Sequence, residues 1–304
     1  DTAELYSIPP RPETTGSTER VIGNWFKARG TRDKVILASK VVGRSGMKWF
    51  RDDGAPSRLT PAQMREAIEK NLKRLQTDYI DLYQLHFPDR PAPFGSIPNR
   101  FTPADWAPAE DETAIGEILA TLDAFVKEGK VRHIGLSNES PWGTMRFLAE
   151  SEKSGLARIA SVQNAYNLLN RSWETGMAEV SLREDVSLLA YSPLAQGFLS
   201  GKYLDGAKPE GARFTLFDRG QRYQQPHADD AIREYLAAAR DFGLDATQMA
   251  NAFVTHSPLV TSNIIGATTM AQLKLAIGAK DITLSPELLA RLDDIHQKRG
   301  NPTP

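Results

Sequence analysis

No cysteine occurs anywhere in the 304 residues, so disulfides, thiolate zinc sites and cysteine nucleophiles are excluded together. Neither charge is in excess: 37 Lys and Arg stand against 38 Asp and Glu. The chain therefore lacks the basic footprint of a nucleic-acid binder. No apolar run approaches the roughly 20 residues that a membrane helix needs, and no stretch has the layout of a secretory leader. A soluble, cytoplasmic protein with no membrane partner is expected. Several catalytic motifs are also missing: no G-x-G-x-x-G follows a strand, and neither H-E-x-x-H nor G-x-S-x-G occurs. "GFLSGKY" (197–203) is one residue short of a P-loop and carries Tyr203 where serine or threonine belongs. His86, His133, His227, His256 and His296 show no ligand-like spacing, so no metal is expected.

What is present is ordinary globular composition, 40% hydrophobic and 25% charged, without a break that would mark a linker. A single domain over 1–304 is the simplest organisation. Short β-branched runs alternate with longer amphipathic ones. "KVILASK" (34–40), "YIDLYQLH" (79–86), "VRHIGLSN", "ASVQN", "VSLLAYS" and "NIIGATT" read as strands. Helical patterns lie at 60–76, along the Ile115–Val126 stripe, and near 141–153, 173–184, 228–256, 269–279 and 286–298. At 60–76 the spacing predicts Thr60 as N-cap, Pro61 in the first turn and Gln63 completing a capping box. Strands regularly followed by helices imply βα units on a parallel sheet, either doubly wound or closed into a barrel. Two connections are long, 87–112 and 192–227, and loops of that length are usually functional or disordered.

Polar residues close strand after strand: Lys40, His86, Asn138, Gln163 with Asn164, and Tyr191 with Ser192. Each alone is unremarkable, because a strand-end lysine is usually solvated and a lone histidine usually structural. In a parallel barrel, however, the C-terminal strand ends converge on one mouth, where active sites are built.

Taken in order, "DTAELY", "ASK", "DLYQLH", "GKVRHIGLSN", "VQNAYNLLNR", "AYSPLAQGFLSGKY" and "IIGATTMAQL" resemble the aldo-keto reductase superfamily, in the branch that holds bacterial reductases and potassium-channel β subunits. The resemblance implies a (β/α)8 TIM barrel and an extended NADPH (NADP+), with NADH as the alternative. It also implies reduction of aldehydes or ketones by a tyrosine, lysine, histidine and aspartate acting together. Carried over, these are Tyr6, Lys40, His86 and Asp1. The chemistry has its own logic: hydride attack on a carbonyl leaves charge on oxygen, which needs a proton or a strong hydrogen bond. A phenol is a weak acid at neutral pH, and a neighbouring ammonium strengthens it.

On the cofactor side, Ser137, Asn138 and Gln163 resemble the groups that hold the nicotinamide carboxamide. Tyr191 resembles the ring that stacks on it. Ser192, Leu194, Gln196 and Lys202 match the loop over the pyrophosphate, and Gly266, Thr268 and Gln272 the adenosine end. Where relatives often grip adenine with glutamate and asparagine, this chain has Leu275 and Ala276. The stretch 266–273 has no lysine or arginine for a 2′-phosphate, which leaves Lys274 or Arg213. For the substrate, Trp49 and Phe50, then Phe87, Phe94, Phe101 and Trp106, are candidates for an apolar mouth suited to aromatic carbonyls. In this family "DTAE" ends the second barrel strand, so the resemblance implies two strands and a helix upstream of Asp1. A cofactor-sensing regulatory subunit with slow turnover is the alternative function. A lyase using Lys40 as a Schiff-base nucleophile would leave the matches at 137–138, 163, 191 and 266–272 without a purpose.

Overall fold

A computed structural model describes residues 1–92, 102–217 and 220–303. Phe94 and Phe101 lie outside the described residues. The chain forms two compact units, the first made of Asp1–Ala92 with Thr102–Gln163, the second running on from Asn164.

In the first unit, strands β1 (Ala38–Val41), β2 (Ile80–Leu85), β3 (Val131–Ser137) and β4 (Ile159–Ala165) pair in parallel and in chain order. Helix α1 (Ser17–Arg29) precedes β1, and helices α2 (Pro61–Leu75), α3 (Ile115–Lys127) and α4 (Pro141–Ser154) run between successive strands. The register sets Lys40 opposite Gln84, Gln84 opposite Gly135, and Ser137 opposite Gln163. Gly135 is required by this packing: a Cβ there would lie 2.8 Å from Ser161 Oγ and 3.3 Å from Gln84 Cγ. Helix α2 is capped as its sequence demands, Thr60 Oγ1 accepting from Gln63 N. The capping box is only half formed, because the Gln63 side chain turns away to accept from Arg58 N at 2.7 Å.

The segment before α1 lies along β1, with Thr2 N donating to Ala38 O (2.9 Å) and Glu4 N to Lys40 O (3.3 Å). Glu4 fastens it. Its Oε1 accepts from Val42 N at 2.7 Å, and its two oxygens take a bidentate Arg51 at 3.0 Å each, all within a pair almost wholly out of solvent. Ala3, Leu5, Val42 and Phe50 form a small core beside it, against which Tyr6, Met47 and Phe87 pack. The pair is not fully satisfied, since Arg51 Nε is buried without a hydrogen-bond partner.

The second unit holds the parallel pair β5 (Ser187–Tyr191) and β6 (Val260–Ile264). Its helices are α5 (Met177–Glu184), α6 (Arg213–Phe217), α7 (Ala228–Asp241), α8 (Ala246–Thr255), α9 (Met270–Gly278) and α10 (Pro286–Arg299). The single helix expected over 228–256 is two, broken where Gly243 takes a left-handed φ of 68° and Asp245 caps the next start. The last strand lies earlier than "NIIGATT": it is Val260–Ile264. Helix α1 carries no apolar stripe to betray it, because its buried face is Glu19, Gly23 and Phe26. Among the described residues, no helix is long and apolar enough to cross a membrane.

Candidate active site

Lys40 ends β1 with its side chain wholly buried. Its Nζ donates to Asp1 Oδ2 at 2.6 Å and to Thr2 O at 2.9 Å. The other Asp1 oxygen, Oδ1, accepts from Gln163 Nε2 at 3.1 Å and from Gln84 Nε2 at 3.3 Å. Around this carboxylate stand two rings. Lys40 Nζ is 5.1 Å from the centre of the Tyr6 ring, and Tyr6 meets His86 edge to face at 5.5 Å. The four residues that the resemblance singled out for catalysis are thus one cluster.

His86 is buried, and its Nδ1 has no hydrogen-bond partner. Burial, reinforced by the Lys40 charge, holds its pKa well below the usual histidine range. The imidazole is therefore neutral near pH 7. The imidazole lies between two rings, Phe87 stacked on it at 4.5 Å and Tyr6 edge to face, while Asn138 Nδ2 donates to the His86 backbone carbonyl at 2.9 Å. Asn138 does this from a left-handed backbone, φ 53°, with its N–H bonded to Gln163 O at 3.0 Å. Ser137 Oγ donates to the same carbonyl at 2.8 Å. Ser137, Asn138 and Gln163 therefore form one polar strip at the ends of β3 and β4.

Gln84 was not among the expected site residues. The signal was there: in "DLYQLH" it stands two before His86, hence on the same face of the strand. Of the aromatic candidates, Phe87 touches His86, and Trp49 contacts Phe50 at 5.7 Å. Trp106 sits on the helical turn Pro103–Trp106, half exposed.

In the second unit, half-buried Tyr191 ends β5, and its Oη accepts from Arg222 Nη1 at 3.1 Å. Ser192 follows with a left-handed φ of 58°, its carbonyl held by Asn167 Nδ2 at 2.9 Å. After Leu194 the chain turns through Ala195, Gln196 and Gly197, at φ 49°, 55° and 100°. Lys202 is exposed, its Nζ 5.1 Å from the centre of the Tyr203 ring. Thr268 N and Oγ1 both donate to Gln272 Oε1, at 2.9 and 3.0 Å, near an exposed Gly266 that no packing demands. Arg213, exposed at the start of α6, makes no hydrogen bond or ion pair among the described residues. It is not brought to the other cofactor candidates by any contact.

Residues 1–297 match the model of the Aldo/keto reductase family. The chain is 49% identical over its whole length to "Protein tas" of Escherichia coli (strain K12), spanning 86% of that protein. It is 27% identical to the "Putative voltage-gated potassium channel subunit beta" of Schizosaccharomyces pombe, with 97% of this chain and 79% of that one covered. The crystal structure of the thermostable aldo-keto reductase Tm1743 with the inhibitor epalrestat superposes with a TM-score of 0.67 at 25% identity, over 97% of this chain and 81% of that one.

Proposed function

The chain belongs to the aldo/keto reductase family, with that family's α/β barrel class of fold, and from this premise we propose that it is a cytoplasmic, NADPH-dependent reductase of aldehydes and ketones. One observation carries the reading: a fully buried lysine, ion-paired to Asp1, lies against the ring of Tyr6, which in turn meets a neutral His86. That brings a phenol, a buried ammonium and a neutral imidazole together.

When bound, a reduced nicotinamide supplies the hydride. Tyr6 Oη gives its proton to the oxygen on which charge develops. Lys40 stabilises the phenolate left behind, and Asp1 holds the ammonium in place. His86, unable to carry charge at neutral pH, positions the carbonyl oxygen by a hydrogen bond. Ser137, Asn138 and Gln163 offer amide and hydroxyl groups suited to a carboxamide, and Tyr191 offers a flat ring. Ser192, Leu194, Gln196 and Lys202 offer a turn and a free cation suited to phosphates, while Thr268 and Gln272 serve the adenosine end. The donor set fits such a group: Lys202 has no carboxylate partner among the described residues. Trp49, Phe87 and Trp106 are assigned to the substrate side, which favours aromatic carbonyls.

The test follows nicotinamide absorbance with an aromatic aldehyde, NADPH and NADH in parallel, for the natural full-length protein and Tyr6→Phe. Loss of about 10²–10⁴ in rate with cofactor binding intact supports the reductase. Tight binding without turnover across a broad carbonyl panel instead favours a cofactor-sensing subunit, a second reading that the likeness to a channel β subunit supports.

A further inference from the structure

Arginines that leave solvent in this protein bring a carboxylate with them. Arg32 pairs with Asp81, Arg51 with Glu4, Arg74 with Glu19, Arg90 with Glu139 and Arg171 with Glu174. Arg222 does not. Its Nη1 is spent on Tyr191 Oη at 3.1 Å, its Nε is buried without a partner, and it makes no ion pair among the described residues. Its guanidinium carbon lies 6.0 Å from the ring centre of Tyr191 and 5.9 Å from that of Tyr223. Arg222 is half-buried; a guanidinium cannot shed its proton, and a charge drawn partly out of water without a counter-ion is disfavoured. The fold nonetheless holds it there with some rigour.

Arg222 rides on the helical turn Gln221–Tyr223. Tyr223 is fully buried, its ring 6.0 Å from Phe198. Asn167 Nδ2 reaches both Tyr223 Oη (3.3 Å) and the Ser192 carbonyl (2.9 Å), tying this turn to the end of β5. Gly220, just before the turn, lets the chain pass so close that a Cβ would lie 2.8 Å from Phe214 and 3.0 Å from Phe198. Phe198 also packs on Tyr203 at 4.7 Å, the ring beside which Lys202 sits. The aromatic block of Phe198, Tyr203, Phe214 and Tyr223 thus carries three cations, Arg222, Lys202 and Lys208, the last 5.5 Å from the Phe214 ring centre, and none has an ion pair among the described residues. Among the described residues nothing neutralises the Arg222 charge, which suits it to an anionic ligand.

We propose that Arg222 is an anion-anchoring residue of the cofactor site, taking a phosphate oxygen of the bound dinucleotide from behind the Tyr191 ring. This rests on the reading of the β5 end as cofactor-binding. A phosphate is favoured over a substrate carboxylate because Arg222 is joined to Tyr191 and, through Tyr223 and Asn167, to Ser192, both assigned to the cofactor. Charge-assisted bonds from a guanidinium suit that partner.

The experiment titrates the full-length protein with NADP+, NAD+ and nicotinamide riboside by intrinsic fluorescence, for the natural sequence, Arg222→Lys and Arg222→Gln, and records ligand-free melting of each. The expected result is a loss of about 10- to 100-fold in dinucleotide affinity for Arg222→Gln, a smaller loss for Arg222→Lys, and no change for the riboside, which has no phosphate. Ligand-free Arg222→Gln is expected to melt no lower than the natural protein, since an uncompensated charge has been removed; a merely structural arginine would lower it. Unchanged NADP+ affinity in Arg222→Gln overturns the proposal alone. The same affinity with a KM raised for 4-carboxybenzaldehyde but not benzaldehyde also overturns it and assigns Arg222 to a substrate carboxylate. Failure of the natural protein to bind any dinucleotide overturns both this and the function it rests on. Should Arg222→Gln fail to fold, the comparison of Arg222→Lys with stabilisation of the natural protein by inorganic pyrophosphate decides: no stabilisation and no loss in the lysine variant refute the assignment.

Discussion

Gln84 and Gln163, carried by β2 and β4, donate to the same oxygen of Asp1, at 3.3 and 3.1 Å. Lys40 holds the other oxygen at 2.6 Å. The aspartate is thus gripped from three strands, and its orientation toward the lysine is not left to one bond. Replacing Gln84 with leucine removes one grip and leaves Asp1 free to tilt. The expected outcome is a fall in kcat of about tenfold, in line with a hydrogen bond to a charged group, with dinucleotide affinity nearly unchanged. Steady-state kinetics beside a fluorescence titration checks it, and a variant as fast as the natural protein removes Gln84 from the site.

Glu4 and Arg51 give a second test, of stability. Arg51→Met strands a buried carboxylate and is expected to cost about 3–5 kcal/mol. Glu4→Gln together with Arg51→Met removes both charges and should cost clearly less than the sum of the two single changes. Urea unfolding of the four proteins closes the cycle. Strict additivity would mean that the pair is not coupled.

A third prediction concerns pH. Burial first, and then the Lys40 charge, depresses the His86 pKa well below 6.5. The unfolded chain therefore binds a proton near pH 6.5 that the folded protein refuses, and stability rises with pH across that window. It is complete above about pH 6.5 and lost below it at about 1.4 kcal/mol per pH unit for each such group. His296 is depressed by burial as well, so His86→Gln is expected to flatten the slope between pH 7 and 5 without abolishing it. Melting curves across that range decide. An unaltered slope would place the imidazole in water.

Gly43 offers a backbone test. A Cβ there would fall 2.0 Å from the Phe87 carbonyl oxygen and 2.7 Å from its carbon, and backbone cannot yield as a flexible side chain does. Gly43→Ala is expected to cost at least the 1–3 kcal/mol typical of overpacking and to displace the ring stacked on His86. Thermal melting and the KM for an aromatic aldehyde should both worsen.

How much of this was legible in the sequence depends on where the signal lies. Strands buried on both faces, such as Ile80–Leu85, stand out by their Ile, Leu and Tyr, and α2 announces its start with Thr60 and Pro61. Helix α1 does not, since it buries Glu19 against Ser39 Oγ (2.5 Å) and Arg74 Nε (2.6 Å) and gives Gly23 to a close approach, while Val21 and Trp25 face solvent. Its pattern is inverted, and periodicity fails with it. The four residues proposed for catalysis could be named from motifs alone. Gln84 was signalled only by its spacing from His86, and Arg222 was not signalled at all, because its role depends on Tyr191, 31 residues away in sequence.

That distance has a kinetic side. Asp1 meets Lys40, Gln84 and Gln163 across separations of 39, 83 and 162 residues. No hairpin or single βα unit can assemble these contacts, and each closes a loop whose entropy is repaid only when β1, β2 and β4 are already in register. The carboxylate is therefore among the last groups to find its place as the chain folds, and among the first to lose it when any one of those strands lets go.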